Sequence, residues 1–524
     1  MKQSSRIIVL MILAALVSTP AFAEGQSEQA AAADDEVILV ELWSNRSGGG
    51  YLDAEHPISK FFADRYGIAF EAPVVPWNGG TDYLQQLRIR IAGGNLPDVF
   101  IPWGGIETEL IANDAVRPLN GMVEEYMPTY YDNVSDEIWN FVRTQSPDGN
   151  SIYFLPQVRF APLAGMIRAD WLDRVGLDIP TTTDEYVEAL RAFRDQDANG
   201  NGDPNDEIPT SAREFARWMD HHFAPFGVAM VEGYPAWDIY DGEVQYSGVQ
   251  PEMKAALAWV RDLYAEGLLD PEAFINTGRI WGSKIANDTV GAWYYSPTWM
   301  SGRIRTMGEA GAEDPRVAYL PVLEAEGYDG FYTTQEYQNP RFMFSATMSD
   351  EATKRMLQVF EFINDPANWE WHLTGIEDYH YRMENGERVF VGSADWERDA
   401  GGYRYGLQPG LYGNPQSFKE NSEYQIELAR ADGDTTRAEI IGMIVSMVEG
   451  YEEDNVRAIA GQFIPAGIYE GYPDIATHKM YQEYAARIIV GDWDIDRFDE
   501  FVDRWYEQGG EEVTERAQEV YQAD

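Results

Sequence analysis

The chain has 524 residues, and its 88 acidic and 39 basic side chains give it a formal net charge of −49 at pH 7. This charge argues against binding to nucleic acid or to anionic membranes, because both repel a negative surface. The acidic residues are spread along the chain, which favours a solvated acidic surface over attraction of a cationic ligand. Cysteine is absent, so neither disulfide bonds nor a lipidated cysteine are expected, and the length predicts two or more domains.

The first residues have the pattern of a secretory signal peptide. Lys2 and Arg6 precede an apolar run over residues 7–17, and an Ala-Phe-Ala cleavage site follows. The run is too short to span a bilayer, which takes about 20 apolar residues. We therefore expect a signal peptide over 1–23, a flexible linker over 24–36, and a periplasmic or secreted protein without a lipid anchor.

The next segment alternates between strand and helix patterns. Apolar runs predict strands over 37–43, 68–75 and 96–103, and amphipathic stretches between them predict helices over 57–66 and 83–92. This order is typical of an α/β layer with a parallel sheet. In such sheets, ligands bind beyond the carboxyl ends of the strands.

A second α/β region begins near residue 166. Thr182 or Thr183 is expected to cap a helix that runs to Phe193, because Glu185 follows early in that helix. Further strands are predicted over 151–160, 291–295 and 341–346, and further helices over 252–266, 350–363, 433–450, 475–490 and 496–521.

A loop directly after the capped helix has the spacing of calcium ligands. Oxygen-bearing side chains stand at alternate positions from Asp195 to Asp203, with glycines between some of them, and Asp206 and Glu207 close the run. Ca²⁺ needs six to eight oxygen ligands, which such a loop supplies. An EF-hand register starts at Asp195, a second register starts at Asp197, and the alternative to both is a polar turn without an ion. We favour a structural ion, because every ligand would come from one short loop.

Known catalytic motifs are not found in the sequence. It contains no G-x-S-x-G, no H-E-x-x-H and no P-loop. His221 and His222 are adjacent and expected to point apart, so we do not expect a zinc site. Acidic pairs are too frequent for a glycosidase pair to stand out, and a secreted carbohydrate-active enzyme therefore stays an alternative.

Four short segments carry motifs that occur together in one known group. They are Ala92-Gly-Gly-Asn-Leu-Pro-Asp98, Arg168-Ala-Asp-Trp-Leu172 with Pro180-Thr-Thr182, the loop from Asp197 to Pro209, and Gly375-Ile-Glu-Asp-Tyr379. In this order and spacing they resemble the family 1 extracellular solute-binding proteins of ABC importers. The likeness is strongest to the sugar-binding branch that includes alginate-oligosaccharide binders.

The resemblance implies an α/β fold of the two-lobe periplasmic-binding type (type II), with hinge-connected lobes that each have a central sheet flanked by helices. We expect the first lobe over 37–158 and 342–400 and the second over 159–341 and 401–524. The resemblance also implies a structural Ca²⁺ ion, and its ligands would be Asp197, Asn199, Asn201, Asp203, Asp206 and Glu207. The spacing before the closing Asp-Glu pair is one residue shorter than is usual in the family.

A sugar site needs flat aromatic surfaces together with polar groups. Tryptophans beyond the predicted strands suit one side of a cleft, an aromatic run suits the other, and polar residues lie near the predicted lobe crossing and in a loop after a helix. In that order, the candidates are Trp43, Trp77 and Trp103; Trp293, Tyr295 and Trp299; and Arg159, Glu377 and Tyr379. For each aromatic residue, packing in the core is the alternative.

The sequence therefore predicts a solute receptor and not an enzyme. We expect a monomer that captures an oligosaccharide or related sugar between two lobes and delivers it to the membrane subunits of an ABC permease, without binding nucleic acid. The alternatives are a secreted carbohydrate-active enzyme and a receptor for another solute that does not serve transport.

Overall fold

The structure is a computed structural model, and it describes residues 36–44, 51–76, 80–160, 162–334, 337–368, 371, 375–390, 412–413, 415–431 and 433–523. The predicted signal peptide, almost all of the predicted linker and Trp77 lie outside the described residues, as does the side chain of Arg159. No helix in the described ranges is long and apolar enough to cross a membrane.

Each predicted helix and strand has a counterpart in the structure, in the predicted order, and further elements that were not predicted lie between them. The first part of the chain forms β1 (Ile38–Trp43), α1 (Pro57–Tyr66), β2 (Ile68–Glu71), α2 (Thr81–Ala92), β3 (Val99–Phe100), α3 (Glu107–Ala112), α4 (Met122–Tyr126), α5 (Pro128–Asn133), α6 (Asp136–Thr144) and β4 (Phe154–Arg159). The middle part forms β5 (Ala164–Arg168), α7 (Ala169–Val175), α8 (Thr183–Asp195), β6 (Ile208–Thr210), β7 (Met230–Val231), β8 (Tyr234–Pro235), β9 (Trp237–Tyr240), β10 (Glu243–Tyr246), α9 (Pro251–Ala265), α10 (Gly278–Ala286), β11 (Val290–Tyr295), α11 (Ser301–Ala310) and β12 (Val317–Leu320). The last part forms β13 (Tyr332–Thr334), β14 (Tyr337–Phe344), α12 (Asp350–Asn364), β15 (Tyr381–Glu384), β16 (Glu387–Phe390), β17 (Tyr412–Gly413), α13 (Pro415–Ala431), α14 (Thr435–Glu453), β18 (Val456–Ala458), α15 (Lys479–Ile489), α16 (Arg497–Trp505) and α17 (Glu511–Ala523).

Two sheets organise the chain. The first has the strand order β17-β4-β14-β3-β1-β2, in which β1 is parallel to β2 and β3, and β14 is antiparallel to β3 and β4. The second has the order β12-β5-β11-β6, in which β11 is parallel to β6 and antiparallel to β5. Both sheets are therefore mixed, because each contains parallel and antiparallel pairs of strands.

Local sequence explains several element ends. The Thr182 side chain accepts a hydrogen bond from the Glu185 backbone, and the Glu185 carboxylate accepts one from the Thr182 backbone N–H, so α8 begins with a complete capping box. The strand predicted over 96–103 shortens to β3, because Pro97 and Pro102 flank it and lack the N–H that a sheet requires. The helix predicted over 496–521 is broken at Gly509, whose φ of 102° is left-handed.

Each sheet has its own apolar core. The core around the first sheet draws on residues 40–158 and 342–363. The cores around the second sheet draw on residues 166–323 and on α14 through Ile440, Ile444 and Met447. The chain thus leaves the first core, builds the second, and returns, which is how a two-lobe protein with a hinge is connected.

The chain passes between the sheets at matching ends. β4 leaves the first sheet at Arg159, and β5 enters the second at Ala164; β13 and β14 make the return passage. Because β14 is antiparallel to β3 and β4, its first residue Tyr337 lies at the end of the sheet where β1 and β3 finish. In the second sheet, Ala164 pairs with Tyr295, the last residue of β11. We call these two ends the crossing ends.

Candidate functional site

The crossing end of the first sheet carries two of the predicted tryptophans. Trp43 ends β1 and is 5% exposed, and its Nε1 donates to Glu41 Oε1 at 2.8 Å while the Arg90 guanidinium lies 5.0 Å from its ring. Trp103 follows β3, is half-buried against the core, and lies against the backbone of Gly80, where a Cβ atom would overlap the indole. The backbone of Arg159 is at the same end, at the close of β4.

The crossing end of the second sheet carries an aromatic group centred on Tyr295. With two arginines, this group forms what we call the aromatic–arginine cluster: Arg213, Trp218, Trp281, Tyr295, Trp299 and Arg303. The ring centre of Tyr295 lies 5.2 Å from that of Trp299, 5.3 Å from Trp281 and 5.7 Å from Trp218. Such distances are typical of aromatic rings in mutual contact.

The two arginines lie over these rings. The guanidinium carbon of Arg213 is 4.3 Å from the Trp218 ring centre and 5.2 Å from that of Trp281. The guanidinium carbon of Arg303 is 4.9 Å from Tyr295 and 5.6 Å from Trp281. Burial lowers the pKa of Arg213, and the charges of Arg217 and Arg303 lower it further. The cluster therefore combines flat apolar faces with fixed cationic donors.

A strained loop after β6 presents part of the cluster. Glu214, Phe215, Ala216 and Trp218 all have φ between 55° and 66°, a region in which residues other than glycine cost about 1–3 kcal/mol each. Backbone hydrogen bonds hold the loop, such as Phe215 N to Phe274 O at 3.2 Å. Strain of this kind concentrates at ligand sites, where the surrounding structure holds the backbone in place.

The remaining predicted ligand residues lie in different surroundings. Trp293 is fully buried in the core beside Trp281, and Tyr295 and Trp299 are partly exposed. Glu377 is exposed, and the Tyr379 ring lies 5.9 Å from that of His56, the residue before α1. A contact of any of these residues with ligand stays a prediction.

Sequence reasoning missed four cluster residues: Arg213, Trp218, Trp281 and Arg303. Arg213 and Trp218 lie in a run that directly follows a strand, a position that could have marked them. Trp281 and Arg303 lie on α10 and α11 and join the site only through packing of those helices. No local pattern distinguishes them from core or surface residues.

The predicted metal loop folds back on itself between α8 and β6. Asn199 Nδ2 donates to Asp206 Oδ1 at 3.0 Å, Asn201 Nδ2 to Asp206 Oδ2 at 2.8 Å, and Gly202 N to Asp197 Oδ2 at 3.0 Å. The second oxygens, Asp197 Oδ1 and Glu207 Oε2, are buried without a hydrogen-bond partner. Burial raises the pKa of Glu207. Within the described residues, no group of three or more His, Cys, Asp or Glu side chains is arranged as a metal site.

The Arg-x-Asp-Trp motif anchors this loop to the second sheet. Arg168 is fully buried and donates through Nε to Asp170 Oδ1 at 2.8 Å and through Nη1 to Asp288. The Asp288 backbone oxygen accepts from Asn199 Nδ2 at 3.3 Å. Both carboxylates are matched by one guanidinium, which is the condition under which buried ions are tolerated.

The adjacent histidines lie side by side, so the expectation that they point apart is wrong. Their ring centres are 3.8 Å apart, and both Nε2 atoms are within 3.3 Å of the Tyr186 hydroxyl. They occupy a single 3₁₀ turn from Asp220 to His222, which places successive side chains closer than a strand would. Burial lowers the pKa of His222 to about 3.

The comparisons with known proteins agree with this architecture. A family model described as bacterial extracellular solute-binding protein matches residues 51–337, which is more than half of the chain. The chain therefore belongs to that family.

Among its relatives, the fructooligosaccharide ABC transporter substrate-binding protein FusA of Streptococcus pneumoniae is 28% identical over 231 residues, which cover 40% of this chain and 41% of FusA. The chain thus matches less than half of FusA's length. Lipoprotein LipO of Bacillus subtilis is 24% identical over 469 residues, which cover 86% of each chain.

Two solved structures show the same two-lobe fold. Alginate-binding protein AlgQ2, in a structure without calcium ion, has a TM-score of 0.64 at 18% identity over 93% of this chain and 98% of AlgQ2. An EF-hand mutant of FusA in complex with fructo-nystose has a TM-score of 0.62 at 18% identity over 93% of this chain and 99% of that one. These likenesses confirm the predicted α/β fold with two lobes.

Proposed function

We propose that the protein binds an oligosaccharide between its lobes and delivers it to the membrane subunits of an ABC permease. The observation that carries the proposal is the position of the aromatic–arginine cluster at the crossing end of the second sheet. Trp43, Trp103 and Arg159 occupy the crossing end of the first sheet. A ligand held between these ends would meet aromatic faces and hydrogen-bond donors, which are what a sugar ring requires.

The proposed mechanism is closure of the lobes around the ligand. A sugar that contacts both crossing ends binds the closed state better than the open one, and it therefore shifts the population toward the closed state. The chain passes twice between the two sheets, after β4 and after β13, and closure of this kind is a hinge motion of one lobe against the other. We propose lobe boundaries at these passages, near the predicted ones.

Binding without catalysis is the function that the family favours. Membership of the extracellular solute-binding proteins also places the protein outside the cytoplasm. We propose that residues 1–23 direct export. The absence of cysteine supports a form without a lipid anchor.

We propose further that the loop over 197–207 holds a structural Ca²⁺ ion. Asp197 Oδ1 and Glu207 Oε2 are buried carboxylate oxygens without a partner, and buried polar atoms of this kind call for an unseen water or ion. Their neighbours offer the additional amide and carboxylate oxygens that Ca²⁺ prefers. The AlgQ2 structure was solved without calcium ion and the FusA structure is that of an EF-hand mutant, which supports the same assignment. An ion here would stabilise the loop and would take no part in ligand chemistry.

Calorimetry and thermal shift with a panel of oligosaccharides test the proposed function. We expect at least one sugar to raise the melting temperature of the wild-type protein, since a ligand of the folded state stabilises it. Tyr295→Ala and Trp299→Ala should weaken its affinity about tenfold or more, as expected for aromatic anchors. Tyr521→Ala, an exposed aromatic on α17, is the matched control and should bind as wild type.

Two results would contradict the proposal. One is that no oligosaccharide changes the melting temperature or binds in calorimetry. The other is that mass spectrometry of the sugar after incubation shows cleavage, which would favour the secreted enzyme.

A further inference from the structure

The aromatic–arginine cluster is locally basic in a chain of net charge −49. Three arginines, Arg213, Arg217 and Arg303, lie close enough to lower the pKa of Arg213 through the other two. Glu214 is the carboxylate that Arg213 and Arg217 share: its Oε1 accepts from Arg213 Nη1 at 2.8 Å, and its Oε2 is 3.5 Å from Arg217 Nη1. One carboxylate therefore serves two guanidinium groups.

The guanidinium of Arg217 is already engaged in hydrogen bonds within the protein. Its Nε and Nη2 donate to the backbone oxygen of Glu232 at 3.0 and 2.9 Å, and buried Asp220 lies near its charge. Arg303 differs, because its only hydrogen bond among the described residues runs from Nη1 to the backbone oxygen of Trp299 at 3.2 Å. Among the described residues, the ion pairs in this region join Glu214 to Arg213 and Arg217 and do not include Arg303.

The helices that carry and flank the cluster add to its positive potential. Arg303 lies in the first turn of α11, and Arg213 Nη1 lies against Gly278, the first residue of α10, where a Cβ atom would be 2.6 Å away. Neither helix has an acidic residue in its first turn. A cation is disfavoured at a helix N-terminus, where the macrodipole favours an anion.

The buried polar atoms of the cluster that lack a hydrogen-bond partner are all donors. Arg213 Nε, Trp218 Nε1 and Trp281 Nε1 are buried without a hydrogen-bond partner, and no acceptor of the cluster side chains is left in the same state. An excess of donors and of positive charge, beside aromatic faces, matches a ligand that supplies acceptors and negative charge.

We propose that the oligosaccharide bound by this protein is anionic, and that Arg303, with Arg213 beside it, contacts the carboxylate or sulfate group of a sugar residue stacked on Tyr295 or Trp299. This inference rests on the proposed function. A guanidinium presents two parallel N–H groups that match both kinds of anion.

Isothermal titration with matched sugars tests the inference. The probes are oligogalacturonides of two to four residues, the same oligomers as methyl esters, and sulfated oligosaccharides of similar length. We expect an anionic probe to bind at least tenfold more tightly than its neutral counterpart, a preference that weakens as salt screens the charges. Comparing the affinity for the oligogalacturonides with that for the sulfated oligosaccharides shows whether the site prefers a carboxylate or a sulfate.

Variants on one helix separate the charge from the fold. Arg303→Gln should lower the ratio of anionic to neutral affinity about tenfold or more, the size expected when a charge-assisted hydrogen bond is lost. Arg303→Lys keeps the positive charge but lacks the paired N–H donors of the guanidinium, so it should retain part of the preference for the anionic sugar. Arg305→Gln, which removes an exposed arginine from the same helix, is the control and should keep the wild-type ratio.

The outcomes separate this inference from the proposed function. Equal binding of neutral and anionic probes, or an unchanged ratio in Arg303→Gln, overturns the anionic preference while the sugar-binding function stands. If no probe binds and neutral oligosaccharides also fail, both proposals are contradicted.

Discussion

Asp220 is a buried carboxyl whose protonation depends on pH near neutrality. It is 4% exposed, and both of its oxygens lack a partner with hydrogen-bond geometry. Burial, together with nearby Glu232, raises the pKa of Asp220 to about 7, against the opposing effect of Gly233, Arg217 and Tyr294. In the unfolded chain the same carboxyl ionises near pH 4. The folded state therefore binds the extra proton between about pH 4 and pH 7, and this contribution to stability is lost as the pH rises.

We predict that Asp220→Asn removes this pH dependence, because an amide does not ionise. Between pH 5 and pH 7 the free energy of unfolding of the wild-type protein should fall by about 2–3 kcal/mol relative to that of the variant. This follows from a change of about 1.4 kcal/mol per pH unit. Denaturant unfolding at several pH values measures the difference. Asp241→Asn, at an exposed turn, should follow the wild type. If the free energies of unfolding of Asp220→Asn and wild type differ by the same amount at every pH in this range, the prediction is contradicted.

The loop between α8 and β6 shows how one element can be organised by a few long-range contacts. Asn199 donates to the backbone oxygen of Asp288, and the carboxylate of Asp288 accepts from the Arg168 guanidinium. Arg174 donates to the backbone oxygen of Ala198. These contacts position the loop from the side of the sheet, and the two carboxylate oxygens without partners remain inside it. A bound ion would therefore stabilise the interior of a loop whose position is already fixed by contacts with the second sheet.

We predict that chelation lowers the melting temperature and that added Ca²⁺ restores it. At a calcium concentration 100 times the dissociation constant, the ion should contribute about 2.7 kcal/mol to the free energy of unfolding. Asp197→Ala and Glu207→Gln should abolish the response to calcium in thermal unfolding. Asp195 is bound to Arg194, outside the register that starts at Asp197, so Asp195→Asn should respond as wild type. Loss of the response in Asp195→Asn would favour the EF-hand register.

Elements of this kind are partly predictable from sequence. The capping box at Thr182 and the bounds of α1, α9 and α12 follow from local residues, because capping and amphipathic spacing involve neighbours along the chain. The mixed order of both sheets was not predictable in this way. Antiparallel β14 enters the first sheet from the second lobe, and such pairing depends on distant parts of the chain.

At the scale of the whole molecule, net charge dominates the electrostatics. Many of the ion pairs have both side chains well exposed, as in Lys60–Glu55 and Arg316–Asp173, and such pairs contribute little to stability. With a net charge of −49, repulsion among carboxylates opposes the compact state.

We predict that salt stabilises the protein. Raising NaCl from about 0.02 M to about 0.5 M shortens the screening length severalfold and should raise the melting temperature. The measurement is thermal unfolding with calcium held in excess, so that the loop over 197–207 does not change its state. KCl at equal ionic strength is the control for a specific ion effect and should act alike. A melting temperature that falls with salt would mean that ion pairs outweigh repulsion.

The sequence by itself determined several of the longer helices, the strands β1 to β4, β11 and β14, the oxygen-rich loop and the resemblance to a solute-binding family. All of these depend on residues close to one another along the chain. It also identified Tyr295 and Trp299 as site candidates beside Trp293. Only the tertiary structure decided that Trp293 is fully buried while its two neighbours reach the crossing end.

The tertiary structure also decided where charge is left unbalanced. Arg213 and Arg303 come from different parts of the chain, and packing of α10 and α11 against the second sheet brings them to the same aromatic rings. Composition indicated an acidic protein and argued against binding to nucleic acid or to anionic membranes. Burial and pairing of individual groups depend on long-range packing, and this is why a basic site could form in so acidic a chain without a signal in its sequence.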